Sequence, residues 1–256
     1  MKLPRRDFLR LAASAAALPV GARAKAAEIK VLCNGAITSV TDELFARFQR
    51  ATGHKLTVRY GFGPVLSREI EAGEVFDVAI LSLDVEGLIK QGKIAAGTRV
   101  VLGQTGIGVG VRKGAPKPDI GTTEAFKHAL LNAKSVAYSR EGSSGLYVLG
   151  LLERLGISEE MRAKLKPQPP VIPTAQAVAT GEAEIVVVGV ALILLVPDAE
   201  LVLPPELQSY VIFTAGLSAN AREPDGGRAL LDFLVTPETR TMLKANGVEP
   251  DANPPF

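Results

Sequence analysis

What most limits this chain is the way short β-rich runs give way, again and again, to segments with apolar residues at helical spacing. EIKVLCNGA, beginning at Glu28, is rich in strand formers, and the TSVTDELFARFQRATG after it puts Val40, Leu44, Phe45 and Phe48 on one face of a helix that Gly53 ends. KLTVRYGFG, PVLSREIEAG and FDVAILS repeat the pattern, with Pro64 in the first turn of a short helix and Gly73 at its end. DVEGLIKQGKI reads as a helix, TRVVLGQTGIGVGVRKG as a long strand region, and TTEAFKHALLNA as a helix with a threonine cap. KSVAYS is a strand that passes through Ser139 to Gly145 into the helix SSGLYVLGLLERLG. A helix stub and buried strand (QAVATGEAEIVVVG), a further strand (YVIFTAGLSA) and two helices (DGGRALLDFLVT and PETRTMLKANG) follow. Strands that alternate with helices imply an α/β protein whose sheet is mainly parallel and covered on both faces.

The first 26 residues stand apart from this pattern. They have a basic start, an Ala/Leu-rich run too short to span a bilayer, and small-x-small sites ending at Ala24 and Ala26. This is the layout of a cleaved export signal. Arg5-Arg6 followed by Asp7-Phe8-Leu9 resembles the twin-arginine type, with Pro4 where Ser or Thr is usual. Cleavage after Ala24 takes away five basic residues and Asp7, so the formal +2 of the full chain becomes about −2. The run Ile185 to Val196 is the longest remaining apolar stretch, and it is too short to cross a membrane, so a buried strand entering a buried helical turn is expected. A soluble, exported, bacterial periplasmic protein follows, expected to be a monomer without stable membrane insertion. About 230 mature residues exceed the usual single core, which favours two lobes.

Several function classes find no support in these residues. No Lys/Arg stripe with interleaved aromatics offers a nucleic-acid surface. The lone Cys33 excludes an internal disulfide and reads as a small core residue. Ser144 is not in a nucleophile elbow, because Leu146 stands where the second glycine belongs, and neither His54 nor His128 has an implied acidic partner. GIGVG, Gly106 to Gly110, lacks dinucleotide-loop spacing and lies in a strand-like run, where its glycines suggest a bend. No Walker loop or metal-ligand spacing occurs, and no cofactor is expected.

The ends of the strands are where such folds hold ligands. Asn34 to Ser39, Gly61 to Pro64, Ser82 to Asp84 and Ser139 to Gly145 are small or polar loops ahead of helices, where free backbone N–H groups favour an anion. Ser143 and Ser144 read equally well as helix N-caps and as ligand contacts. Arg59 and Arg140 are candidates for holding a carboxylate in bidentate fashion, and solvated surface charge is their simpler reading.

From Ile29 to the C-terminal helices the chain resembles the periplasmic molybdate-binding proteins of ABC importers. The landmarks are KVLCNGAITSVTDELFARFQRATG, LSREIEAGEVFDVAILS, GSSGLYVLGLLERLG and AVATGEAEIVVVG. The resemblance implies two α/β lobes joined by crossover strands near residues 104–112 and 210–216, with lobe 1 over 27–105 and 213–256, lobe 2 over 106–212, and the ligand in the cleft between them. It maps the family's oxyanion contacts onto Ala36, with Asn34, Gly35 and Thr38 in the same loop, and onto Gly63, Ser144 with Ser143, Val171 and Gly189. Several of these positions lack the hydroxyl that molybdate binders carry there. Ser82 and Arg140 complete the candidate set. A small anion, either a molybdate-like oxyanion or a small carboxylate, is the implied ligand, and an ABC importer permease the implied partner. The chain is also similar to aconitate isomerases on the same scaffold, a reading that would need a base such as Asp84, Tyr138 or Glu141. A third alternative is a pocket suited to a more apolar ligand, which Val186 to Leu195 would allow.

Overall fold

The structure is a computed structural model that describes residues 26–82, 85–169, 174–196, 198–202 and 209–250. Residues 1–25 of the expected export signal, together with Asp84 and Val171, lie outside the described residues.

The strands are β1 (Glu28–Asn34), β2 (Lys55–Gly61), β3 (Val78–Leu81), β4 (Val100–Arg112), β5 (Val136–Ser139), β6 (Leu165–Gln168), β7 (Ile185–Gly189), β8 (Ala199–Val202) and β9 (Tyr210–Leu217). The helices are α1 (Thr38–Thr52), α2 (Gly63–Glu71), α3 (Glu86–Lys90), α4 (Thr123–Asn132), α5 (Ser143–Arg154), α6 (Ser158–Met161), α7 (Gln176–Thr180), α8 (Val190–Leu194), α9 (Pro224–Leu234) and α10 (Pro237–Ala245). A single 3₁₀ turn, Gly35–Ile37, links β1 to α1. Neighbouring strands run in the order β2-β1-β3-β9-β4-β7-β5-β6, with β8 also on β4.

Pairing direction divides this order. β1 is parallel to β2 and β3, and β5 is parallel to β6 and β7, whereas β4 and β9 pair antiparallel with each other and with their neighbours. The two α/β units are therefore parallel within themselves and joined by the antiparallel crossovers β4 and β9. Their apolar cores are separate. One runs through β1, α1, β9, α9 and α10, with Phe48 and Phe213 fully buried. The other runs through β4, α4, α5 and β7 around Phe126 and Met161. Smaller clusters complete each side, Leu32, Leu66 and Ile70 on the first and Val186, Val188 and Ile193 on the second.

Local chemistry accounts for the junctions that aim the strand ends. Thr122 caps α4 by accepting from the Ala125 N–H at 3.1 Å, as the threonine ahead of that helix leads one to expect. Buried Asp77 accepts from the backbone N–H groups of Lys30, Arg222 and Glu223 at 2.8, 2.7 and 3.0 Å, tying β1 and the entry to α9 to the start of β3. The apolar run from Ile185 becomes the buried strand β7 and then α8, which buries Ala191, Leu192 and Ile193 and leaves Leu194 exposed.

Two expectations are corrected. The glycines of GIGVG do not bend the chain: β4 runs unbroken through them, and its one irregularity lies between Val101 and Gly103. Gly110 instead makes room, since a Cβ there would lie 2.8 Å from Val186 Cγ1 and 3.3 Å from Ile193 Cγ2. Three short elements, α6, β6 and β8, were not visible in the sequence. Four residues are too few to show a period, and Pro167 in β6 is tolerated because that strand lies at the sheet edge.

Candidate functional site

The C-terminal ends of β1, β3, β5 and β7 converge beside the two crossovers, and a small cavity lies among them. Asn34 and Ala36 reach it from the end of β1, Phe62 from the start of α2, and Ser82 from the end of β3. Ser139, Ser143 and Ser144 come from the end of β5 and the first turn of α5; Gly189 and Leu192 from the end of β7 and α8. Thr105 of β4 and Val211 and Phe213 of β9 form the back wall. The enclosed space is narrow, about 20 Å³, little more than one water needs.

Five hydroxyls and one carboxamide supply the polarity, and no titratable side chain lines the cavity among the described residues. Thr105 Oγ1 accepts from the Ala191 N–H at 3.2 Å, and Ser139 Oγ accepts from Thr174 Oγ1 at 3.3 Å. A hydroxyl that accepts still has its own proton to give. Asn34 Oδ1 accepts from the Ala36 N–H at 2.8 Å, which leaves the Nδ2 protons for another acceptor. Ser82 Oγ and Ser143 Oγ lie 2.9 Å apart across the cleft. The cavity is thus rich in donors and, among the described residues, free of formal charge, and Val211 and Phe213 in its back wall strengthen each hydrogen bond made there.

The α5 start removes the capping reading of its serines. Gly142 is the N-cap, in extended conformation and without a side-chain cap bond, so Ser143 and Ser144 are the first two helical residues and neither caps the helix. The Gly145 and Leu146 N–H groups donate back to the Gly142 carbonyl at 2.9 and 3.2 Å, so the first turn closes over the strand end. Gly145 allows the close approach: a Cβ there would lie 1.7 Å from the Ser139 carbonyl oxygen. Helix α5 therefore presses its N-terminus, the positive end of its dipole, against the end of β5 and the cavity.

Residues 29–249 match the family described as bacterial extracellular solute-binding protein. The chain belongs to that family. Among curated relatives of this solute-binding protein, an aconitate isomerase from Pseudomonas sp is 30% identical over 244 residues, covering 92% of each chain. The molybdate-binding protein ModA of Azotobacter vinelandii is 27% identical over 236 residues, covering 88% of this chain and 90% of that one. Among solved structures, the periplasmic molybdate-binding protein of Azotobacter vinelandii superposes with a TM-score of 0.72 at 18% identity over 89% of this chain and 100% of that one. The sulfate-binding protein SubI of Mycobacterium tuberculosis does so with a TM-score of 0.71 at 15% identity, over 88% and 87%. At those identities the superpositions show a shared fold.

Of the candidate residues in this solute-binding protein, Asn34, Ala36, Ser82, Ser143, Ser144 and Gly189 are brought together around the cavity. Gly35, Thr38, Gly63 and Arg140 are not in its lining. Thr38 Oγ1 donates to the Gly35 carbonyl at 2.8 Å, within its own turn. Gly63 stands behind Ser82. The Arg140 side chain is exposed, and Arg59 is paired with Glu69 at 2.6 Å on a half-exposed face, so neither guanidinium is turned to the cavity. Of the bases named for an isomerase, Glu141 is exposed and Tyr138 packs against the second core. Cys33, one residue before Asn34, is fully buried, and burial pushes its thiol up to about 12, so no thiolate borders the site. Phe62, Ser139 and Leu192 lie inside stretches the sequence reading singled out, without being named as contacts. Thr105, Val211 and Phe213 escaped it, because they sit inside crossover strands, where no loop signature marks them.

No helix among the described residues is long and apolar enough to cross a membrane. No group of three or more His, Cys, Asp or Glu among them could hold a metal ion.

Proposed function

We propose that the protein captures a small, doubly charged tetrahedral oxyanion of the molybdate or sulfate kind between two lobes and delivers it to an ABC importer. The observation that carries this reading is the lining of the cavity: five hydroxyls, one carboxamide and a helix N-terminus, with no charged side chain among the described residues. An ion that only accepts hydrogen bonds is satisfied by such a set, and the absence of a buried cation leaves selectivity to donor geometry. We assign residues 27–105 and 213–256 to one lobe and 106–212 to the other. Export of a single-chain protein to the periplasm, by the twin-arginine route that Arg5-Arg6 suggests, accords with the family. Thermal unfolding of the mature chain with molybdate, tungstate, sulfate and phosphate tests the reading. A ligand at about 100 times its dissociation constant adds about 2.7 kcal/mol, or about 5 to 10 °C for a chain of this length. No shift with any of these ions would sink it.

A second reading, isomerisation of an unsaturated tricarboxylate, is favoured by one observation, the 30% identity to the aconitate isomerase. Against it stands the lack of a base in the lining among the described residues. Incubation with cis-aconitate, followed by proton NMR for the trans isomer, separates the two readings. Turnover would replace the first.

A further inference from the structure

The contact between Ser82 and Ser143 joins the two sides of the cleft by side-chain hydroxyls. Besides the 2.9 Å separation of the two Oγ atoms, Ser143 Oγ lies 3.4 Å from the Ser82 carbonyl oxygen. Ser82 follows β3, on the side whose core runs through β1 and β9, and Ser143 opens α5 on the other. Capping does not occupy Ser143. Gly63 is what gives Ser82 its place: a Cβ on residue 63 would fall 2.2 Å from Ser82 Oγ and 3.2 Å from Asn34 Nδ2. The hydroxyl of Ser82 therefore fills the space where a side chain at position 63 would begin.

We propose that Ser82 and Ser143 form a latch that also reads the ligand. Without ligand the two hydroxyls bond to each other and hold the cleft shut; with ligand each turns its O–H onto the same acceptor, so that one neutral hydrogen bond is exchanged for two charge-assisted ones. Gly63 is the residue that permits the exchange, because any side chain there displaces Ser82 Oγ. The ligand half of this proposal rests on the oxyanion reading above; the latch half does not.

Two measurements test the halves separately. Spin labels on Arg50→Cys and Glu160→Cys, both exposed and one on each side of the cleft, report the distance between lobes by pulsed electron paramagnetic resonance, and buried Cys33 stays unlabelled. In ligand-free protein the Ser82→Ala/Ser143→Ala pair should move the ratio of long to short distances by about fivefold, the worth of one ordinary hydrogen bond. An unchanged distribution overturns the latch. In calorimetric titrations with molybdate and sulfate, Ser82→Ala, Ser143→Ala and Gly63→Ala should each weaken binding about tenfold or more. Parent protein that binds either ion beside variants that bind it equally well refutes the ligand role. Parent protein that binds neither ion refutes the oxyanion reading and the ligand half with it, while the distance measurement still decides the latch.

Discussion

Two glycines in one helix should respond to alanine with opposite signs, and the difference isolates the contact that seats α5 against the cavity. Gly145 is in the first turn of α5, where an added Cβ would sit 1.7 Å from the Ser139 carbonyl oxygen and 2.9 Å from its carbon. The obstacle is backbone, so it has no rotamer to escape into, and the helix start must retreat by roughly an ångström or more to reach ordinary contact. Overpacking of this kind costs about 3 kcal/mol at the upper end of its range, and the better helix propensity of alanine returns about 1. Gly145→Ala should therefore lose about 2 kcal/mol, a fall of about 4 to 8 °C in Tm. Gly150, further along the same helix, meets only Arg154 Nη1 at 3.7 Å, so Gly150→Ala should gain up to about 1 kcal/mol, about 2 to 4 °C. Differential scanning fluorimetry of both variants beside the parent decides it, with titration of a bound oxyanion as the functional readout. Gly145→Ala should also bind more weakly, since Ser143 and Ser144 move with the helix start. If Gly145→Ala melts at or above the parent, the close seating of α5 on the end of β5 is wrong.

Asp77→Ala leaves three backbone N–H groups without their acceptor and should cost about 3 kcal/mol or more in urea unfolding, with the loss shared between β1 and the entry to α9. Cys33 has its thiol raised by burial, so its contribution to stability is whole below the ordinary thiol value and fades as pH climbs toward about 12. Stability should fall over that alkaline range, less steeply in Cys33→Ala, and at pH 8 an alkylating reagent should reach Cys33 only after unfolding. Arg140→Ala should leave ligand affinity unchanged, because its side chain is exposed outside the cavity; a tenfold loss in calorimetry would place the guanidinium in the site after all.

The order of the longer strands and helices was legible because the longer helices carry their apolar faces at full length. Val40, Leu44 and Phe48 needed only spacing to be assigned, and all three are buried in α1. The loops at the strand ends were legible for a similar reason, since Asn34, Ser82 and the α5 serines stand at changes of pattern. The positions that escaped are those whose role depends on two distant segments meeting. Thr105 reads as one more strand residue until β7 and α8 are laid beside β4. Gly63 was marked as a loop residue of the site, but why it must be glycine shows only once Ser82 is laid against it. The arginines were legible as charge and no further: charge is easy to find in a sequence, and direction is not.

Because the chain crosses out along β4 and returns along β9, the first core is built from both ends of the sequence, joining Ile29, Val31 and Phe48 to Phe213, Leu230 and Leu243. The second core needs nothing beyond residue 187 apart from the flank of Val211. Synthesis from the N-terminus would then let the later-starting half pack while the earlier one still waits for β9, α9 and α10. The half that begins last can finish first, and the cleft exists only once the final helices have come home.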